Sequence, residues 1–209
     1  MEELTNWGEY ITLFAGMFAM LNIPKNTTIF LDLTADFTRR EATVTAITAA
    51  LTTLAVLELF TLFGGSMLAF FQITIDHVQI AGGAILLIHA LSMVGVISTG
   101  SLGEARAATN PIAIGLSPLG IPLIAGPGAI STVLVYAQDH ASPLHIVVVS
   151  ITMLAVSVAL FASLRIAVAA GNFIGPTATI LINRIMGLIV AAIAVNFLVT
   201  GIKAEFGLG

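Results

Sequence analysis

The chain has 209 residues and a formal net charge of −4; 58% of its residues are hydrophobic and only 9% are charged. A soluble domain carries roughly 25% charged residues, so this composition cannot cover a water-facing surface, and the solvent it fits is a lipid bilayer. No cysteine is present, which excludes a disulfide framework and thiolate metal sites, and the lack of a basic run argues against nucleic acid.

The amino-terminal segment MEELTNWGEY is acidic and has no basic n-region of a secretory signal, so the first apolar span is expected to be retained. Crossing a membrane as a helix takes about 20 apolar residues, and six stretches reach that length. The first, Tyr10–Leu33, contains the helix breakers Asn22-Ile23-Pro24. Ala42–Phe63 follows with Glu58 inside it, then Val78–Ile97 with Gly82-Gly83 and His89. The fourth, Ile112–Tyr136, carries Pro118, Pro122 and the triplet Gly126-Pro127-Gly128. His145–Ala169 and Asn183–Ile202 complete the set, the last with Gly187 and Asn196. No stretch alternates with a strand period between turn clusters, which argues against a barrel. The expected fold is an all-α polytopic membrane protein of six transmembrane helices.

Basic residues set the expected orientation. Arg39 and Arg40 lie in the first connector, Arg106 in the third, and Arg165 and Arg184 flank the fifth; the second and fourth connectors have none. The positive-inside rule places the odd connectors in the cytoplasm and both termini outside, in a cytoplasmic (inner) cell membrane. Lys203 is the exception. Trp7 and Tyr10 suit an outer interfacial anchor.

The hydrophobic plan repeats at an offset of 105 residues, which pairs Asn22 with Pro127, Thr27 with Thr132, Ile80 with Ile185 and Gly82 with Gly187. Three spans per copy is an odd number, so the second copy enters the membrane from the opposite side. The expected architecture is therefore two inverted three-helix repeats, residues 1–105 and 106–209, with discontinuous first and fourth helices. Breakers at matching places in two such halves mark the binding site of a secondary transporter.

Within hydrocarbon every backbone polar group needs a partner, so broken helices require protein or water around them. Each break yields half-helix ends, negative at the carboxyl side and positive at the amino side. Behind each break comes a cluster suited to start a new helix: Asn26, Thr27 and Thr28 in one copy, Ser131 and Thr132 in the other. Free N–H groups there form an anion site, and the opposing carbonyls suit an ammonium, so a zwitterion fits. The candidate substrate-binding residues are Asn22, Pro24, Asn26, Thr27, Gly126, Pro127, Gly128, Ser131 and Thr132. Pro and Gly that merely kink packed helices are the plain alternative. Coupling-ion candidates are Lys25, Glu58 and His89. Lys25 reads first as a cation snorkelling to the nearby interface, then as a partner of a substrate carboxylate, of Asp32 or of Glu58. Glu58 is either a proton-coupling carboxylate or an end-of-helix residue, and His89 and Asn196 read as interhelical struts. His77, His140 and His145 border connectors and call for no function. No catalytic constellation, cofactor motif or metal motif is found: HExxH is absent, and the GPG triplet has no following Lys-Ser/Thr pair.

These same segments carry a family resemblance. SPLGIPLIAGPGAIST resembles the fourth-span signature of the MarC family, HVQIAGGAILLIHALSM is similar to its third span, and NRIMGLIVAAIAVNFLVTGI to its closing helix. The resemblance covers nearly the whole chain. It implies a six-span membrane protein that transports small neutral amino acids of the glycine/alanine type, as in the SnatA branch, driven by a cation gradient (H+ or Na+). The family's first-span motif, Asn-Pro-x-Gly-Asn and then Pro and Phe, falls on Asn22, Asn26 and Phe30. Here Ile23 replaces the usual Pro, Pro24 is shifted by one, Lys25 replaces Gly, Thr28 replaces the second Pro, and Ser92 stands where many members have Asp. The competing expectations are an exporter or pore for another small polar metabolite, and an intramembrane enzyme.

Overall fold

A computed structural model describes residues 7–97, 110–139, 142–170 and 175–207; Arg106, His140 and the boundary between residues 105 and 106 lie outside them. Among the described residues every regular element is helical. The first apolar stretch forms α1 (Trp7–Met20) and α2 (Ile23–Leu33), followed by α3 (Arg39–Phe71) and α4 (Ile75–Val94). The fourth stretch divides into a short α5 (Pro111–Ile114), a wide-turned π-type segment (Gly115–Ile124) and α6 (Pro127–Asp139). Helices α7 (Pro143–Ala170) and α8 (Pro176–Glu205) complete the chain. Four of these, α3, α4, α7 and α8, are long and apolar enough to cross a membrane.

Local chemistry accounts for where the helices start. Prolines 111, 127, 143 and 176 each open a helix and Pro24 sits in the first turn of α2, positions where the missing N–H breaks no helical bond. Thr38 and Glu41 form a reciprocal capping box at the start of α3, and Thr74 with His77 does the same for α4. The third span ends at Gly95, whose φ of 91° needs a residue without Cβ. Helix α3 outruns its expected end at Phe63 by eight residues, because Gly64 and Gly65 do not stop it. They lie beneath Leu134 and Gln138 of α6.

Packing follows a reciprocal plan. The π-type segment and α6 lie on α3 and α4, whereas α1 and α2 lie on α7 and α8; α3 packs on α7, and α4 on α8. The α4/α8 pair is antiparallel and close. A Cβ at Gly83 would fall 2.9 Å from the Ala194 carbonyl and 2.8 Å from Leu198 Cγ. One at Gly187 would fall 3.2 Å from the Ala90 carbonyl and 2.9 Å from Val94 Cγ2. Each member of the first contact stands 104 residues from its counterpart in the second. The same interval separates the helix starts Ile23 and Pro127, and Arg39 and Pro143. The interval in three dimensions is thus one residue shorter than the 105 counted along the sequence: Asn22 answers to Gly126, the residue ahead of each half-helix, and Gly83, not Gly82, answers to Gly187.

Leu13, Met17, Leu21, Phe30, Leu57, Leu86, Met153 and Leu160 are fully buried between these layers. Large apolar side chains such as Leu51, Leu62, Val147, Ile151 and Leu188 face outward, a pattern that suits hydrocarbon rather than water.

Candidate functional site

The first helix interruption is abrupt. Helix α1 ends at Met20, α2 begins at Ile23, and the chain turns at Asn22, whose φ of 42° and ψ of 53° are left-handed. Among residues with a Cβ, Asn is one of the few that visit this region readily. Asn22 is 2% exposed, and both the oxygen and the nitrogen of its side-chain amide are buried with no hydrogen-bond partner. A backbone carbonyl freed beside it is taken by a side chain, Asn26 Nδ2 donating to Leu21 O at 2.6 Å, and the His89 ring lies beside Met20. Lys25 is half-buried in the first turn of α2. Neither Asp32 nor Glu58 reaches Lys25; among the described residues the ion pair present joins His77 to Glu205.

The second interruption is spread over ten residues. Ser117 (φ −145°, ψ 128°) and Ile121 (φ −133°, ψ 129°) are extended inside the π-type segment, and each precedes a proline, which disfavours helical geometry for the residue before it. The ladder shifts to wider turns, with Ala125 N donating to Gly120 O at 2.9 Å. Gly115 and Gly120 let this irregular backbone lie directly on Thr45, Thr48 and Thr52 of α3. Gly126 alone of the GPG triplet lies between helices. Pro127 opens α6 and Gly128 is in its first turn, where a Cβ would fall 2.6 Å from Leu86 Cδ2. Ser131 Oγ donates to Pro127 O at 2.9 Å.

The two interruptions meet. Thr132 Oγ1 stands 2.9 Å from the Met20 sulfur and 2.9 Å from its own helix's Gly128 carbonyl, joining the start of α6 to the end of α1. One face of α4 runs past both, since Gly82, Leu86 and His89 recur at helical spacing. Gly82 lies under Ser131, Leu86 under Gly128, and His89 against Met20. Asn26 (4% exposed) and Thr132 (2%) are buried with Asn22. Thr27 points to the other side of α2, its hydroxyl 3.2 Å from that of Ser163 on α7. Glu58, half-buried on α3, makes no hydrogen bond or ion pair with any of these residues.

Sequence reasoning missed Met20, Leu86 and Ser163, apolar or commonplace residues that only the fold brings to the breaks. His145 is also more than a connector residue. It is 5% exposed, with Nδ1 3.0 Å from the Tyr10 hydroxyl and Nε2 2.7 Å from the Tyr136 carbonyl, tying α1, α6 and α7 together.

An all-helical bundle with four membrane-length apolar helices, outward-facing aliphatic side chains and buried polar helix ends is the construction of an integral membrane protein. The model of the MarC family of integral membrane proteins matches residues 7–206, and the chain belongs to that family. Its relatives include the UPF0056 membrane protein YhcE of Escherichia coli K12, 31% identical over 94% of this chain and 93% of that protein. A UPF0056 membrane protein of Methanocaldococcus jannaschii is 34% identical over 93% of this chain and 96% of its own length. The UPF0056 membrane protein YvbG of Bacillus subtilis is 30% identical over 94% and 95%. No solved structure matches the chain significantly.

Proposed function

We propose that this MarC-family membrane protein is a secondary transporter of small neutral amino acids of the glycine/alanine type, working by alternating access and coupled to a cation gradient. The observation that carries the reading is the buried Asn22 amide, unpartnered at both atoms and set between two helix ends. A buried amide without partners is costly; a zwitterion offers it both a carboxylate to receive its N–H and an ammonium to satisfy its oxygen. The first-turn N–H groups of α2 and α6 have no preceding helical carbonyl and add to the carboxylate site. The close covering of Gly128 by Leu86 leaves little room beyond an α-carbon, which favours the smallest side chains. His89 and Lys25, adjoining the break, are the coupling candidates on this reading; Glu58 is the more remote one.

The architecture proposed with it is six spans in two inverted repeats, residues 1–105 and 106–209, with α1–α2 and α5–α6 as the discontinuous first and fourth helices. Its support is the 104-residue interval shared by helix starts and by the α4/α8 glycine contacts, together with the antiparallel run of that pair. The distribution of Arg39, Arg40 and Arg165 supports termini on the outer face. On this reading the protein is a carrier and not an enzyme: the hydroxyls nearest the second interruption, Ser131 and Thr132, donate to their own helix's carbonyls and not to a base. Uptake of labelled glycine and alanine by proteoliposomes, with and without imposed proton or sodium gradients, tests the whole proposal. Gradient-driven accumulation is expected. Passive equilibration alone would make the protein a pore, and equal competition by leucine, phenylalanine and lysine would overturn the small-substrate site.

A further inference from the structure

A cavity of about 400 Å³ opens at the end of the protein where the first connector lies, between the end of α2, the start of α3 and the end of α7. Leu31, Thr34 and Phe37 line one side, Arg39 and Ala42 another, and Ala167 with its two successors the third. This volume falls within the range of about 300–1,000 Å³ typical of small-molecule sites. The cavity is not at the helix interruptions, and it is aligned with one of them. Along α2, Leu31 is four residues beyond Thr27, and Thr27 is five beyond Asn22; at about 1.5 Å per residue these steps are roughly 6 and 7.5 Å. Along α7, Ala167 stands the same four residues beyond Ser163, the partner of Thr27. Cavity, hydroxyl pair and broken helix end therefore lie in order along the seam between α2 and α7.

The Thr27–Ser163 contact at 3.2 Å crosses this seam directly below the cavity. It is a neutral bond between short side chains, worth about 0.5–1.5 kcal/mol net, so it holds the seam shut without making opening expensive. The wall above is Arg39, exposed at the first turn of α3, with the Arg165 guanidinium 3.4 Å from Thr43 on the same flank. Arg39 is the charged side chain lining the cavity, and a cation at a mouth raises the local concentration of carboxylate-bearing molecules.

We propose that this cavity is the substrate vestibule at the first-connector end, receptive to the carboxylate of a zwitterion, and that the Thr27–Ser163 pair is the floor that parts to admit it to the Asn22 break. The proposal rests on the transporter reading but can fail separately from it. The chain contains no cysteine, so single cysteines report access without background. With a membrane-impermeant maleimide applied from the connector side, Leu31→Cys and Val168→Cys are expected to react and Asn22→Cys to resist. Adding Ser163→Ala to Asn22→Cys should speed its labelling. In proteoliposomes, oxidised Thr27→Cys/Ser163→Cys is expected to lose alanine uptake and regain it on reduction, and Arg39→Gln should raise the KM for alanine more than it lowers the maximal rate. If wild-type protein carries no alanine, the transporter reading falls while the labelling pattern still decides whether vestibule and floor exist. If wild type transports and the oxidised pair transports equally well, the floor is overturned; if Leu31→Cys resists the reagent or Asn22→Cys reacts as fast, the vestibule is overturned.

Discussion

The two helix interruptions solve the same backbone problem by opposite means. At Asn22 one left-handed residue separates two regular helices, and the freed carbonyl of Leu21 is taken by the side chain of Asn26. Between Gly115 and Gly126 the chain keeps its bonds within the backbone by widening the turn, as the Ala125-to-Gly120 bond shows, and needs only glycines and pre-proline residues to do so. The first break is thus specified by side chains and the second by backbone geometry. On the transporter proposal, ligand discrimination falls to the first break and close packing to the second.

The largest expected effect separates those two roles. Asn26→Leu strips the Leu21 carbonyl of its donor in a buried setting and should cost about 1–3 kcal/mol. Its positional counterpart Ile130→Leu changes only shape and should cost less than about 1.5 kcal/mol. Thermal unfolding of the purified proteins measures both; equal losses would erase the distinction.

Gly128→Ala comes next. The added methyl meets Leu86, which is fully buried, and overpacking of this kind costs about 1–3 kcal/mol. The test is a double-mutant cycle in melting temperature with Leu86→Val: the pair should be less destabilised than the sum of the single variants, and strict additivity would show that Leu86 yields freely.

Asn22→Gly should hardly change stability. Glycine adopts the left-handed turn without strain, and the loss of an unpartnered amide offsets lost packing. Substrate affinity in the same protein should fall about ten- to a hundred-fold, the worth of one bond to a charged group. Asn22→Ala adds about 1–2 kcal/mol of backbone strain, so a difference in stability between the two variants isolates the turn from the ligand. Isothermal titration with alanine and thermal melts of both variants supply the numbers.

The smallest effect concerns an exposed helix start, a control for the uncapped one at α2. Glu41's carboxyl is held below its ordinary range by the Thr38 hydroxyl and then by the Thr38 N–H. A depressed folded value means that the contribution is present above the unfolded pKa of about 4.3 and is lost as pH falls through the folded one. The protection factors of the amides in the first turn of α3, which normalise for the intrinsic pH dependence of exchange, should therefore fall only in acid. Thr38→Val should move the carboxyl's titration, followed by NMR, back toward its usual range.

The helical fold was legible because long apolar runs between short polar connectors suit little else, and Pro and Gly inside such runs have few uses besides interrupting or packing a helix. The register was not. Asn22 and Pro127 share a breaker's chemistry, but position relative to the helix start decides correspondence, and only the fold reveals that Gly126 precedes one start as Asn22 precedes the other. Thr27 against Ser163 was equally hidden, since the partner stands 136 positions away in the chain and no local pattern links them. Leu86 is hidden for another reason. As one leucine in a run of apolar residues, it bears no mark of facing a glycine.

The close antiparallel contact of α4 with α8 also has a bearing on the bilayer itself. The 20 residues of α4 span about 30 Å, the thickness of a hydrocarbon core, whereas the 30 residues of α8 reach about 45 Å. Pinned to its shorter partner at Gly83 and Gly187, α8 cannot shed the excess by tilting alone, so a part of it stands in the headgroup layer. On α3, which is 33 residues long and leads in the chain to α4, Phe70 and Phe71 are 81% and 64% exposed at its far end, suited to a membrane interface. A bilayer thicker or thinner than the reach of α4 would therefore load the α4/α8 seam by hydrophobic mismatch.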